Sequence, residues 1–261
     1  MCYDVASGIR SALKYAKHRS DDPAMIASLE IQLELWLTSN VAYYQISGYA
    51  YPPLLVFTND QPFKPQFFQW GLIPHWVQSK VIANTIRNQT LNARAETIFE
   101  KPSFKNSAKY KRCLIYIDAF YEYHHANKKV YPFHISLKLD EPIILAGLWD
   151  EWLDTETGEL IQTVSIVTTK ANEVMSQIHN NPKLIEPRMP AILGRDKQNE
   201  WLKPIDHEDE IFKLLHLLEP IESNLLKYHT VRRLKGKESV GNTKEAELEY
   251  IYPELLLKVE V

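Results

Sequence analysis

From Tyr43 to about Thr169 the apolar and aromatic residues come in short runs broken by turn-forming residues. The runs are Leu54 to Phe57, Gln66 to Trp70, Cys113 to Ile117, Phe120 to His124, Val130 to Ile135, Ile143 to Leu148 and Thr163 to Thr168. Runs this short, rich in β-branched and aromatic side chains, read as strands. Before them the first forty residues read as helical, with Met25, Ile26, Leu29, Leu33, Trp36 and Leu37 at helix spacing behind Asp21-Asp22-Pro23. After them come a helix over about Ala171 to Ile178, a strand around Met189 to Leu193, helices over about 195–202 and 208–218, and a strand from Tyr228 to Arg232. Helices and strands do not alternate regularly and no repeat or low-complexity linker marks a boundary. The pattern therefore predicts one α+β domain over 1–261 built on a curved sheet, rather than a doubly wound α/β fold.

Composition narrows the function. The chain has 261 residues, long enough for a full core, with 30 Lys+Arg against 33 Asp+Glu and a net charge of −3. With 45% hydrophobic and 24% charged residues it falls in the globular range, and no apolar stretch approaches the ~18 residues a membrane helix needs. Only 8 glycines occur and none form G-x-G-x-x-G, which weighs against dinucleotide binding. Two cysteines, Cys2 and Cys113, are too few for a disulfide framework or a Cys-rich zinc site. Asp4, Arg10, Lys14 and Lys17 interrupt any apolar leader, so the expected location is cytoplasmic, with nucleoid association if the source is bacterial.

Several near-motifs fail. Gly236 to Thr243 has P-loop spacing, but Asn242 stands where the phosphate-binding lysine belongs, and the segment reads as a charged turn. His124 and His125 face opposite sides of a strand and cannot share a metal there. His207-Glu208-Asp209 lies in an acidic helix start and reads as solvated charge. Cys113, inside an apolar strand, reads as a small core hydrophobe. No metal or cofactor is expected.

Cys2 is different. Initiator methionine is commonly removed before a small residue, and the α-amine and thiol of Cys2 would then sit on one residue, with reference pKa values of roughly 7.7–8.0 and 8.5. Such an aminothiol condenses with an aldehyde to an imine, and the thiol then closes on the imine carbon to give a stable thiazolidine.

Met1-Cys2 is followed in order by Trp70-Gly71-Leu72-Ile73-Pro74-His75-Trp76, Asn92-Ala93-Arg94-Ala95-Glu96-Thr97, Arg112-Cys113-Leu114-Ile115, Phe120-Tyr121-Glu122-Tyr123, Thr168-Thr169-Lys170-Ala171-Asn172, Ile178-His179-Asn180 and Arg188-Met189-Pro190. From Cys2 to about Leu202 the chain resembles the SRAP family, the SOS response-associated peptidases that capture abasic sites in single-stranded DNA. The resemblance implies a compact α+β domain around a barrel-like, mainly antiparallel sheet flanked by helices. It also implies a DNA-damage-response activity in which Cys2 crosslinks to the open-chain deoxyribose aldehyde, whether classed as peptidase, hydrolase or lyase.

Site roles follow from that resemblance and from what each side chain can do. Glu122 shares a strand face with Phe120 and His124, where desolvation raises a carboxyl towards neutral pKa and suits it to shuttle protons. His179 is implied as the second acid/base group, an imidazole that both delivers and accepts a proton at pH 7. Asn92 is implied to hold the Cys2 residue by amide hydrogen bonds, and Arg94 to clamp a phosphate beside the lesion. Trp70, Gly71, Pro74, Tyr123, Thr168 and Arg188 match the DNA-binding positions, Trp70 having a core role as its alternative. Two basic runs, Lys101, Lys105, Lys109, Lys111 and Arg112, and Arg232, Arg233, Lys235 and Lys237, offer local charge despite the net −3; either also reads as a solvated face.

The chain departs from the family in three places: Tyr3-Asp4 replaces the usual Gly-Arg, with Asp4 able to alter the amine's pKa; residues 181–187 lengthen the step from His179 to Arg188; and a helical insertion occupies about 8–37. A charged segment covers about 233–261. The expected partner is single-stranded DNA bearing abasic sites, without a membrane and as a monomer; contact with the replication machinery is left open. Two other readings are an N-terminal-nucleophile autoprocessing peptidase using the Cys2 thiol, and a non-enzymatic single-stranded-DNA or partner-binding module.

Overall fold

The structure is a computed structural model and describes residues 2–7, 12–39 and 42–256. In chain order the elements are β1 (Asp4–Ser7), α1 (Ala12–Arg19), α2 (Pro23–Ser39), β2 (Tyr43–Ser47), β3 (Pro53–Thr58), β4 (Gln66–Trp70), α3 (Lys80–Gln89), β5 (Asn92–Arg94), α4 (Lys105–Tyr110), β6 (Arg112–Ile117) and β7 (Ala119–Ala126). They continue with β8 (Lys129–Leu137), β9 (Ile143–Leu153), β10 (Leu160–Lys170), α5 (Glu173–Ile178), β11 (Arg188–Pro190), α6 (Arg195–Leu202), α7 (Asp209–Leu217), β12 (Leu226–Thr230) and α8 (Pro253–Leu256).

Five of these strands close on themselves. β3 pairs antiparallel with β4 and β6, β6 with β9, β9 with β10, and β10 returns to β4 in the parallel sense. The ring has no free edge of its own. Its strands are buried on both faces, which is why Leu54-Leu55-Val56-Phe57 and Cys113-Leu114-Ile115-Tyr116 read as continuous apolar runs. One alternating set, Leu54, Val56, Phe68, Trp70, Ile115, Leu145, Val164 and Ile166, forms a single cluster with Cys2, Val5 and Phe120. The other set, Leu55, Phe57, Leu114, Tyr116, Ile144 and Ala146, packs with Leu29 and Leu33 of α2, Trp201 and Leu202 of α6 and Leu214 of α7. The expected α+β domain with a barrel-like, mainly antiparallel sheet and flanking helices is what the chain forms. Among the described residues no helix is long and apolar enough to cross a membrane.

The second sheet, ordered β12-β8-β7-β1-β2, is antiparallel throughout. Its β1 corrects the helical reading of the first forty residues. Asp4 pairs with Ser47 on one side and with Tyr121 on the other, and Val5 with Ile46 and Phe120. Four residues with one buried carboxylate carry no strand signal, because their neighbours and not their own pattern supply the pairing. Of the helical insertion expected over about 8–37, residues 8–11 lie outside the described residues, α1 begins at Ala12, and α2 runs on to Ser39. The sequence also gave no sign of α3, which buries Ala83 and Arg87 while exposing Val81 and Ile82.

The first basic run divides: Lys101 and Lys105 are exposed, while Lys111 and Arg112 are structural. Arg112 is buried and donates to the carbonyls of Ala108 (2.7 Å), Lys109 (2.8 Å), Trp201 (2.8 Å) and Lys203, tying the C-terminal ends of α4 and α6 to the barrel. Lys111 bonds to the buried Asp150 at 2.8 Å. Cys113 lies in the core as expected, and the backbone closest to it admits nothing larger. A Cβ on Gly147 would lie 2.7 Å from Cys113 Sγ and from Ile115. Gly147→Ala is expected to overpack this layer and cost roughly 1–3 kcal/mol, read as a lower urea midpoint with an unchanged slope.

Candidate active site

β1, held between β2 and β7, places Cys2 at the top of the cluster that fills the space between the two sheets. Cys2 is fully buried. The Tyr3 carbonyl accepts from Gly48 N–H at 2.8 Å, and Asn92, at the start of β5, donates from Nδ2 to the Cys2 carbonyl at 2.8 Å. Asn92 Oδ1 is buried without a hydrogen-bond partner among the described residues. Burial, reinforced by the Glu122 carboxylate, pushes the Cys2 thiol well above its ordinary range.

Glu122 lies in β7 on the same face as Phe120 and is only 3% exposed. Burial raises its pKa to about 7. His179 ends α5, with Nε2 3.8 Å from Glu122 Oε2, and burial lowers its pKa to about 4. Burial thus biases the imidazole to its neutral form at pH 7 and brings the carboxyl into the range where it titrates. His179 Nδ1 lies 2.8 Å from the Arg188 carbonyl and 3.1 Å from the Arg188 N–H. With hydrogen on Nδ1 the ring donates to the carbonyl and offers an Nε2 lone pair towards a protonated Glu122. The opposite tautomer accepts from the N–H and offers Nε2–H towards an ionised one. At 3.8 Å the two groups are just beyond hydrogen-bond contact.

A cavity of about 360 Å³ opens onto these groups, lined among others by Tyr3, Asp4, Glu122, Tyr123, His179 and Lys235. The second basic run reaches it through Arg233 and Lys235, as do Asn181 and Leu184 of the lengthened 181–187 segment. Asp4 is buried and fully engaged, accepting from Gln45 Nε2 (2.8 Å), Tyr123 OH (3.0 Å) and Lys235 Nζ (2.7 Å). The role of Lys235 was invisible in sequence, since only the fold sets it beside a residue 231 positions away.

The expected DNA-contact residues divide sharply. Arg94 is exposed at the end of β5, and Tyr123 is partly exposed at the cavity. Trp70 is fully buried with Nε1 donating to the Leu91 carbonyl at 2.7 Å, so its ring cannot stack on a base; the core reading of Trp70 is the one the fold adopts. Gly71 is buried with φ 109°, a conformation glycine permits in the turn after β4, and Pro74 is buried beside it. Trp76 of the same block is 47% exposed. Thr168 is buried, and Arg188, 2% exposed, is spent on Glu96 (2.8 Å), Glu186 (2.9 Å) and the Thr168 carbonyl (2.8 Å). These buried side chains shape the site from behind. His124 Nδ1 bonds to the Gln177 carbonyl at 2.9 Å, and His125 exchanges backbone bonds with the Asn180 amide. Among the described residues no group of three or more His, Cys, Asp or Glu could hold a metal.

The family model described as "SOS response associated peptidase (SRAP)" matches residues 15–237. The chain belongs to the SRAP family. It is 37% identical over 167 residues to "Abasic site processing protein YoqW" of Bacillus subtilis, covering 64% of this chain and 68% of that protein. It is 30% identical over 198 residues to "Abasic site processing protein HMCES" of Xenopus tropicalis, covering 68% of this chain and 55% of that one. A crystal structure of a protein from Bacteroides thetaiotaomicron superposes with a TM-score of 0.79 at 32% identity, over 96% of this chain and 100% of that one. A protein from Bordetella bronchiseptica shares the fold at 21% identity, with a TM-score of 0.69 over 88% of this chain and 99% of that one.

In this SRAP chain the site also governs stability. The raised pKa of Glu122 means the folded state favours its protonated form, so the associated stability is present below the ordinary carboxyl pKa and is lost as pH rises through about 7. Glu122→Gln is expected to match the wild type near pH 4 and to exceed it by about 3 kcal/mol at pH 8, measured by denaturant unfolding at both pH values.

Proposed function

We propose that this protein captures abasic sites in single-stranded DNA as a covalent thiazolidine on Cys2. The observation that carries the reading is that Cys2, held through its carbonyl by Asn92, lies within the field of the Glu122 carboxyl, of pKa about 7, which lines the cavity together with His179. The named relatives are abasic site processing proteins, which fits the same chemistry.

Removal of Met1 frees the Cys2 amine. The amine adds to the C1′ aldehyde of the ring-opened sugar to give a carbinolamine. Protonated Glu122 gives its proton to the carbinolamine hydroxyl, water leaves, and an iminium that keeps its N–H forms beside the Glu122 carboxylate. The Cys2 sulfur then adds to the iminium carbon, forming the C–S bond while the C=N π pair returns to nitrogen. The thiol proton passes to the Glu122 carboxylate and restores the acid, and His179 faces that carboxyl through Nε2. Asn92 keeps amine and thiol aimed at one carbon in succession, so the second bond closes within a held geometry. Burial keeps the thiol protonated, which favours an amine-first sequence over direct thiolate attack on a peptide carbonyl. Arg94, exposed two residues from Asn92, contacts a phosphate next to the lesion.

Incubation with single-stranded DNA holding one abasic site should yield a heat-stable adduct that maps to Cys2 by mass spectrometry, with intact mass showing Met1 removed. Cys2→Ser should abolish the stable adduct; a stable adduct from that variant, or retained Met1 in an active preparation, would overturn the assignment. Glu122→Gln should slow adduct formation by roughly 10²-fold or more with plain DNA affinity little changed, and equal loss of both would make Glu122 structural. Arg94→Ala should weaken binding and reduce the log–log salt slope by about 0.7, the contribution of one phosphate on a single strand.

A further inference from the structure

β1 has two faces with different chemistry. Val5 pairs with Phe120, and together with Glu122 they look towards Cys2 and the barrel. Asp4 pairs with Tyr121 and, with Ala6, looks the other way, onto Val231, Leu234 and Ala246 of the segment that follows β12. The two faces meet at the cavity, where Asp4, Glu122, Tyr123 and Lys235 all contribute to the lining. A carboxylate buried at this point destabilises any second negative charge nearby, and its field acts on both the Cys2 thiol and Glu122.

The neutral donors around Asp4 are Gln45 from β2 and the Tyr123 hydroxyl from β7, neither of which cancels its charge. Lys235 does. Its ammonium sits 2.7 Å from Asp4 Oδ2 and 4.7 Å from the centre of the Tyr123 ring, so a side chain that is 55% exposed is held in place by two contacts. Arg233, also at the cavity, is engaged with Glu238 at 2.9 Å.

We propose that Lys235 is the counter-ion of Asp4 and a positioning residue for the active site, the segment after β12 supplying the charge that lets a buried carboxylate lie alongside Cys2 and Glu122. This rests on the crosslinking reading only for its catalytic consequence. Removing Lys235 takes away the positive charge that offsets Asp4, so the net negative potential at Glu122 grows and the carboxyl holds its proton to higher pH; without Asp4 the exposed lysine loses its anchor and acts on Glu122 less. The other groups facing Glu122 are the chain's terminal ammonium, Cys2, His179 and Tyr123, with His125 on the cavity wall; of these only Tyr123 touches Lys235, and Lys235→Met keeps an apolar stem over its ring.

The test is a carbon-13 titration of the Glu122 carboxyl in the full chain, identified by its loss in Glu122→Gln. Lys235→Met, which keeps the apolar stem over Tyr123, should raise the midpoint by roughly half a pH unit or more, and Lys235→Arg should restore it. Asp4→Asn should lower the midpoint, and Lys235→Met added to Asp4→Asn should move it less than half as far as in the native background. The pH dependence of adduct formation should shift in parallel, giving about a threefold rate change at a fixed pH on its sloping limb. An unmoved midpoint, or an equal shift with and without Asp4, overturns the proposal. So does a variant whose only change is weaker DNA binding with a flatter salt dependence, since that would make Lys235 a phosphate contact. A wild type that forms no adduct at all would count against the crosslinking reading, while the carboxyl titration would still decide the role of Lys235.

Discussion

The active site depends on the pairing of four residues, Asp4 to Ser7, between two other strands. An extended segment at a sheet edge is free to fray, but β1 has neighbours on both sides, and its backbone bonds to β2 and β7 leave the preceding Cys2 no latitude. The Asn92 amide, delivered by a strand that runs parallel to β10, then holds the Cys2 carbonyl from the barrel side. Cys2 is in this way given the rigidity of a core position. The barrel and the second sheet contribute to the same apolar cluster around it, so the stability of that cluster and the placement of Cys2 are one property.

Electrostatics around Cys2 follow from the same burial. Desolvation acts in opposite directions on acids and bases, raising the Glu122 carboxyl to about 7 and lowering the His179 imidazole to about 4. Both groups are thereby biased to their neutral forms at pH 7, and only the carboxyl titrates in the working range. A carboxyl with a pKa near 7 can both give and take a proton in that range, which suits the proposed dehydration and addition. Asp4 is the exception, a carboxylate that is buried and ion-paired, and its partner arrives from the far end of the described chain.

Much of this architecture was legible in the order of residues. The apolar runs that became β3, β6 and β9 stand out because a closed barrel covered by helices buries both faces of its strands, and α6 was readable to the residue. Elements whose signals belong to their partners were not legible. β1 has too few residues to show a period, and α3 turns its apolar Val81 and Ile82 outward. The DNA-contact positions fared unevenly for a related reason: a sequence block records that Trp70, Thr168 and Arg188 matter near the site, without distinguishing a side chain that touches a ligand from one that braces the wall behind it.

The residues by themselves determined the chemical inventory: an aminothiol-capable cysteine at position 2, a strand glutamate among aromatics, a histidine at a helix end and an asparagine two residues before an arginine. They also determined the fold class and the family, because strand runs and ordered motifs survive in one dimension. Tertiary structure alone decided which of those groups meet and in what state. Burial is a property of the assembled cluster, so the neutrality of His179, the near-neutral titration of Glu122 and the pairing of Asp4 with Lys235 across 231 positions exist only once both sheets have closed around Cys2.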